Sequence, residues 1–403
     1  MKNYKSLLYI SILSFAMLFL SCEEEERGPL VSDNTIPEVI TEVMVENLPG
    51  GAKIAYKVPA TDDILLVEAT YVRNGELITA RSSVYKNFVV IEGLKETSPQ
   101  EVTLSVVDRS ANRSQAVNVT INPQTAPIDI LFETLEMVED FGGVRLLYDN
   151  KDDIQVEFLL YTIDANGTAT YNQSAFVNNS SRSYHTYRTF APTPQNFGVV
   201  AIDRWDNITT IKKATVTPLE EVMLDIYEFD DLKLSTDEPD AFSWFMPNLW
   251  NGSIDGSGFH TDQTTPGAIV PPYTTPYHMF TFDLGVLAKI SRIKFWQRQG
   301  TWIFSHGNPR HFEIWGRPDF PTDDGASFDG WTLLVANGEV IKPSGGPIGS
   351  NSAEDTASAA LGEEFDASLS APPVRYIRFV QIQNWTDGKF IHIMEFNFWG
   401  QLQ

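Results

Sequence analysis

Basic residues are scarce in this chain: 29 Lys and Arg stand against 53 Asp and Glu, a formal net charge of -24 over 403 residues. Such a surface repels phosphate backbones and anionic membranes, which excludes nucleic acid as a partner and means that an acidic polymer would need a local basic patch. Cysteine is nearly absent, with Cys22 alone. No disulfide, thiolate metal site or cysteine nucleophile can be built once that residue is consumed. Histidine is also sparse, and His185, His260, His278, His306, His311 and His392 are scattered. Nucleophile-elbow, His-Glu-x-x-His and phosphate-loop motifs are missing, and no amphipathic helical period runs far. The 53 acidic residues supply carboxylates enough for a glycosidase pair, but nothing marks one out.

What is present begins with Lys2 and Lys5 ahead of an apolar run from Leu7 to Leu20, too short for a stable membrane span and therefore read as an export signal. Cys22 follows in Leu18-Phe19-Leu20-Ser21-Cys22, which resembles a bacterial lipobox, with Phe19 in place of the usual leucine. The resemblance implies cleavage before Cys22 and its acylation. The run Glu23-Glu24-Glu25-Glu26 is similar to the surface-export signal of Bacteroidetes lipoproteins, which implies a lipid-anchored protein of the outer membrane facing the medium. Residues 1–21 are thus expected to be a signal peptide and 22–36 an acidic tether.

An internal repeat follows. Gly50-Gly51-Ala-Lys-Ile-Ala-Tyr56 returns as Gly142-Gly143-Val-Arg-Leu-Leu-Tyr148, Asn74-Gly75 as Asn166-Gly167, and Asp108-Arg109-Ser-Ala-Asn112 as Asp203-Arg204-Trp-Asp-Asn207. Short segments rich in β-branched and aromatic residues (65–71, 102–107, 156–161, 197–202) are punctuated by Gly, Asn-Gly and Pro. This predicts two immunoglobulin-like or fibronectin-like sandwiches, at 37–123 and 124–219. The Asp-Arg-x-x-Asn element reads as a turn fixed by side-chain bonds to backbone rather than as a binding loop.

The third region, 235–403, holds every tryptophan except Trp205. Strands are expected at 280–284, 290–298, 311–317, 331–335, 374–382 and 391–399, with a long loop from Asn337 to Pro373 that is either functional or mobile. Ile293 and Phe295 should face the core while Lys294, Trp296 and Arg298 face away. Leu249-Trp250-Asn251-Gly252, Phe259-His260-Thr261, Phe280-Thr-Phe282-Asp283-Leu284-Gly285, Ile290 to Arg298, Phe312-Glu-Ile314-Trp-Gly316, Trp331-Thr-Leu333, Val374 to Phe379 and His392 to Gly400 occur in an order that resembles the discoidin-like domain of coagulation factors and family-32 carbohydrate-binding modules. The expected fold class is therefore all-β, two tandem sandwiches followed by a discoidin-like jelly-roll sandwich.

The resemblance also implies site residues. Relatives carry a structural Ca2+ held by an Asp-Gly-Asp loop and a final-strand glutamate. Glu395 matches the latter, whereas Asn251-Gly252-Ser253 replaces the usual loop and Asp255 comes two residues late. Asp255 and Glu395 are the candidate ligands, and the alternative is a loop closed by hydrogen bonds. Sugar contact is expected from the loop holding Trp302, Phe304, His306, Asn308 and Arg310, with Arg298 beside it and Trp385 on a second loop, because sugar C–H faces stack on aromatic rings. The whole order also resembles Bacteroidetes surface lipoproteins encoded beside glycan-import systems. The expected role is non-enzymatic capture of a polysaccharide or oligosaccharide for an outer-membrane transporter complex. The alternatives are a protein-binding accessory subunit or adhesin, and then a glycoside hydrolase.

Overall fold

A computed structural model describes residues 33–177 and 183–403; Cys22, the glutamate run and the tether up to residue 32 lie outside it. The chain is all-β, as its short apolar runs require: two three-on-four sandwiches followed by a larger jelly roll. In the first, Thr41–Leu48, Gly51–Lys57 and Phe88–Ile91 face a sheet ordered Glu76–Ser83, Ile64–Arg73, Gln100–Asp108, Val117–Ile121. The second repeats this with Glu136–Asp140, Gly143–Leu147 and Tyr184–Tyr187 against Ala169–Val177, Val156–Ile163, Gln195–Asp203 and Lys212–Val216, and adds a helix, Pro127–Thr134. Each has its own core, around Val67 and Leu104 in one and Phe158 and Phe197 in the other.

The repeated motifs have physical reasons. Gly50 and Gly142 turn with φ of +65° and +62°, and a Cβ on Gly51 or Gly143 would stand 1.9 Å from the Ile91 carbonyl oxygen or 1.7 Å from that of Tyr187. Only glycine lets those backbones meet. The Asp-Arg-x-x-Asn element is the expected turn: Asp108 Oδ1 accepts from the amides of Ser110 and Asn112, as Asp203 Oδ1 does from Trp205 and Asn207. It does more than turn the chain. Asn112 Nδ2 also donates to the carbonyls of Asp33 and Thr35, and Asn207 Nδ2 to that of Gly93, so each copy ties down the segment preceding its domain. Trp205 lies on Gly93, where a Cβ would approach its ring to 2.6 Å. The second and third domains are joined by half-buried charge: Arg188 donates to Glu221 and Asp366, and Arg292 to Glu221.

In the jelly roll, one 19-residue strand, His278–Trp296, takes the place of the two strands expected at 280–284 and 290–298. Its first half pairs with Val374–Asn384 and its second with Glu395–Leu402 and Glu363–Asp366, so the strand joins both sets of partners into one continuous eight-stranded sheet. The register shifts between Asp283 and Ala288, where Gly285 takes a φ of +73°. The core is phenylalanine: Phe280, Phe282, Phe295, Phe312, Phe379, Phe396 and Phe398 are wholly buried, with Phe280 and Phe312 each stacked 5.2 Å from Phe379. Each such ring contributes about 1.5–3 kcal/mol by burial alone. Ile293 and Phe295 face this core and Lys294 and Trp296 do not, as the alternation requires.

The long loop is neither bare nor open. It contains a helix, Ala353–Leu361, begun by a capping box between Ser352 and Asp355, and then the strand Glu363–Asp366. Asp355 is fully buried, accepts from Ser344 and Ser352 and lies 3.8 Å from the ammonium of Lys342.

Candidate functional site

The rim at the end of His278–Trp296 is organised by two buried amides. Gln297 Oε1 accepts from the amide of Phe304, and its Nε2 donates to Glu363. Asn308 Oδ1 accepts from the amide of Arg298 at 2.8 Å, and its Nδ2 donates to the Trp302 carbonyl at 2.7 Å. Both side chains are wholly buried, so the loop 297–308 is held from within. Asn308 positions this loop and is not available to a ligand.

The residues expected to stack on sugar divide into two groups. Phe304 is fully buried and Trp385 retains 9% exposure, their rings 5.5 Å apart edge to face. Phe304 is therefore core and offers no face, a correction to its expected exposure, and Trp385 shows little more than an edge. In the sequence the glycines around this aromatic offer it no strand to pack on; Gln297 and Asn308 supply that anchorage instead. Arg310 lies over the Trp385 ring at 5.0 Å. The second group is accessible: Trp302 and Arg298 are half-buried and His306 is exposed. Trp302 meets the His306 ring edge to face at 4.4 Å.

Sequence reasoning missed the other side of this patch. Trp244, half-buried, lies across the Arg298 guanidinium at 4.6 Å, opposite Trp302 at 4.2 Å. Beside it, His260 and His392 face each other at 3.9 Å, because Phe259–His260 pairs with His392–Ile393. Phe390 stacks on His260, and Phe242, 67% exposed, meets the same ring at 4.8 Å. The run Phe242-Ser243-Trp244-Phe245 was the one available signal; the histidine pair, 132 residues apart, had none. Phe242, Ser243, Phe304 and His306 all have φ between +49° and +60°, a conformation that side chains avoid and that concentrates at binding sites.

Burial lowers the pKa of His392 to about 2, and the neighbouring His260, Arg298 and His306 push the same way. Neither of its ring nitrogens has a partner. Burial also lowers the pKa of His260. Arg298 spends none of its guanidinium donors on the protein among the described residues; its only bond runs from its backbone amide.

The expected calcium residues do not come together as a cation site. Asp255 is exposed, while Glu395 is 3% exposed beneath Asn251-Gly252-Ser253. That loop turns amide N–H groups toward Glu395, with Gly252 donating to Oε1 at 3.3 Å, where a cation would need carbonyl oxygens. Among the described residues no group of three or more His, Cys, Asp or Glu side chains could hold a metal. The donor set suits the carboxyl itself, not Ca2+.

Two small sandwiches followed by a jelly roll with an arginine between two tryptophans make a modular all-β protein whose distinctive chemistry lies at its last module. Three family models match it, each described only as a domain of unknown function: DUF4959 over residues 37–123, DUF5126 over 124–226 and DUF5000 over 250–400. No curated protein matches. The chain is 32% identical to a solved structure, the SusE-like protein BT2857, over 68% of this chain and 98% of the other, with a TM-score of 0.44. It belongs to the SusE-like proteins. It also matches the C-terminal domain of a chitobiase from Bacteroides fragilis, at 14% identity over 45% of this chain and 99% of the other, TM-score 0.29. Another match, to the CBM32 and M60 catalytic domains of Clostridium perfringens ZmpB, has 13% identity over 44% of this chain and 15% of the other, TM-score 0.31. Among the described residues no helix is long and apolar enough to cross a membrane.

Proposed function

We propose that this chain is a non-catalytic glycan-binding lipoprotein of the bacterial surface, and that the rim of its jelly roll holds a saccharide for an outer-membrane uptake system. Membership among the SusE-like proteins supports a Bacteroidetes surface protein of the glycan-binding Sus type. The single observation that carries the site is Arg298, its guanidinium lying against Trp244 and Trp302 with every donor unspent among the described residues. Aromatic faces take sugar C–H surfaces, and unspent donors with His306 beside them take hydroxyls.

So shallow a patch offers few contacts, so dissociation constants of about 10 μM to 1 mM are expected, or roughly 4–7 kcal/mol. Many copies on one membrane would gain avidity on a long polymer. Calorimetry against a polysaccharide panel should find a ligand for the full chain, with Trp302→Ala and Trp244→Ala each weakening it at least tenfold at unchanged melting temperature. Phe304→Ala should instead lower the melting temperature. Binding that survives both tryptophan changes places the site elsewhere; release of reducing sugar overturns the non-catalytic reading, and co-purification with a transporter without any sugar signal favours an accessory protein-binding subunit.

Anchoring through Cys22 has its own test. Cys22→Ala should move the protein from the membrane fraction to the soluble fraction or trap its precursor, and protease added to intact cells should degrade the wild type. A wild-type protein untouched by protease would end the surface reading.

A further inference from the structure

The charges around this rim are unlike those of the rest of the molecule. Six arginines fall in residues 235–403: Arg292, Arg298, Arg310, Arg317, Arg375 and Arg378. Four are spent on the protein: Arg292 bonds Glu221 and Glu364, Arg317 the Asp329 carbonyl, Arg375 Asp283 by a two-pronged contact, and Arg378 the Gly325 carbonyl beside Asp237. The guanidinium groups of Arg298 and Arg310 have no hydrogen bond or ion pair among the described residues, and both belong to the rim, each laid on a tryptophan. In a chain with 53 carboxylates against 29 basic groups, leaving two arginines unpaired at one edge is a departure from the surrounding pattern. Of the carboxylates near this cluster, Asp262 beside His260 has its Oδ1 taken by Thr264 and Thr265, and Glu363 accepts from Gln297. Burial lowers the pKa of Arg298.

The Arg298 guanidinium, set against both Trp244 and Trp302, is a planar fork of donors with no partner among the described residues, and such a fork pairs with a carboxylate through two parallel bonds. A hydroxyl, with one oxygen, uses half of such a fork. Close by, His392 keeps two unpartnered ring nitrogens at 2% exposure, and His306 is exposed next to Trp302. Resting on the saccharide-binding reading above, we infer that the sugar held at this rim carries a carboxylate, as a uronic acid does, with Arg298 as its clamp and Trp302 as the stacking face of its ring. The local basic patch that an acidic polymer needs against a net charge of -24 is this rim.

The test sets polygalacturonate, polyglucuronate and polymannuronate beside the neutral galactan, glucan and mannan, and beside a sulfated galactan, using the full chain in calorimetry. At least one uronan should bind ten times more tightly than its neutral counterpart, and methyl esterification of its carboxylates should remove that advantage. Arg298→Gln should abolish the preference, and Arg298→Lys, which keeps the charge and loses the fork, should lose most of it, both at unchanged melting temperature. If the neutral polymer binds as well as the uronan through Trp302, and Arg298→Gln leaves the ratio alone, the carboxylate inference fails while the saccharide site stands. Tighter binding of sulfated galactan than of any uronan also overturns it, and absence of binding by every polymer removes the saccharide reading itself.

Discussion

Asp237→Ala is expected to cost about 3–5 kcal/mol of the stability of the jelly roll, because it strands a charge in the core. Arg378 has no exposed surface and is the largest of the fully buried side chains. Its guanidinium donates to Thr281, Thr236 and the Gly325 carbonyl and lies 5.3 Å from each of the Phe328 and Trp331 rings. Those partners satisfy its donors and leave its charge. Asp237, also buried, is 3.6 Å away, with Thr281 donating to the same carboxyl oxygen; burial raises its pKa to about 7 against the pull of Arg378, so the compensating charge is complete at pH 8 and above, where the comparison is to be made. Denaturant unfolding followed by tryptophan fluorescence reads mainly this domain, since it holds all tryptophans but Trp205. Asp237→Leu with Arg378→Met should recover much of the loss, as replacing both members of a buried pair by apolar groups does. A loss under 1 kcal/mol for Asp237→Ala would mean that Asp323 and Asp324, whose fields also reach Arg378, are enough to hold it.

Fold class was legible because strand alternation and turn chemistry are local. Ile293 against Lys294, and the paired Gly50-Gly51 and Gly142-Gly143, state their environments within a few residues. Where the reading missed, the deciding contact lay far off. Gly285 looked like the gap between two strands, yet it breaks the pairing and not the direction of the chain, and only the partners on either side reveal one strand of 19 residues. The helix Ala353–Leu361 is too short for a helical period to stand out, although Ser352 and Asp355 stood in sequence as its capping box.

The site divides along the same line. Arg298, Trp302 and His306 are close in sequence, and the structure brings them together. Phe304 lies between Trp302 and His306 and points inward, because Gln297, itself buried, takes its amide. No property of Phe304 or its neighbours distinguishes it from Trp302 before the loop is closed. His260 and His392 join through the pairing of two-residue strands separated by more than a hundred positions, and Trp244 joins them through its carbonyl, which accepts from the His260 amide; neither leaves a periodic trace in the sequence. The two sandwiches are more readable: one asparagine per repeat, Asn112 and Asn207, fastens each domain to what precedes it.

The jelly roll should become less stable as pH rises from about 4.5 to above 7, and Glu395 should be a principal cause. Burial raises its pKa to about 7 from an ordinary value of 4.5, against the opposing pull of the Gly252, Ser253 and Asn251 amides. Oε1 receives Gly252, while Oε2 is buried with no partner, so a proton there relieves the desolvation. Between those two pH values the folded state holds a proton that the unfolded state has lost; the stabilisation is complete below 4.5 and disappears as pH passes through about 7. The difference corresponds to about 3 kcal/mol. Glu363, bonded to Gln297 and also raised to about 7 by burial, acts in the same direction, while Asp262 and Asp323, lowered chiefly by bonds from Thr264 and Ser327, act oppositely at lower pH. A comparison with Glu395→Gln, which imitates the protonated carboxyl, isolates the one group. The two proteins should be about equally stable near pH 4, and the variant should be the more stable by up to about 3 kcal/mol at pH 8. A wild type that matches the variant at pH 8 would show that Glu395 is ionised at little cost. If it does so only in millimolar Ca2+, and chelator restores the difference, the loop over Glu395 rearranges its carbonyls inward and the site takes the cation that its present donor set does not suit.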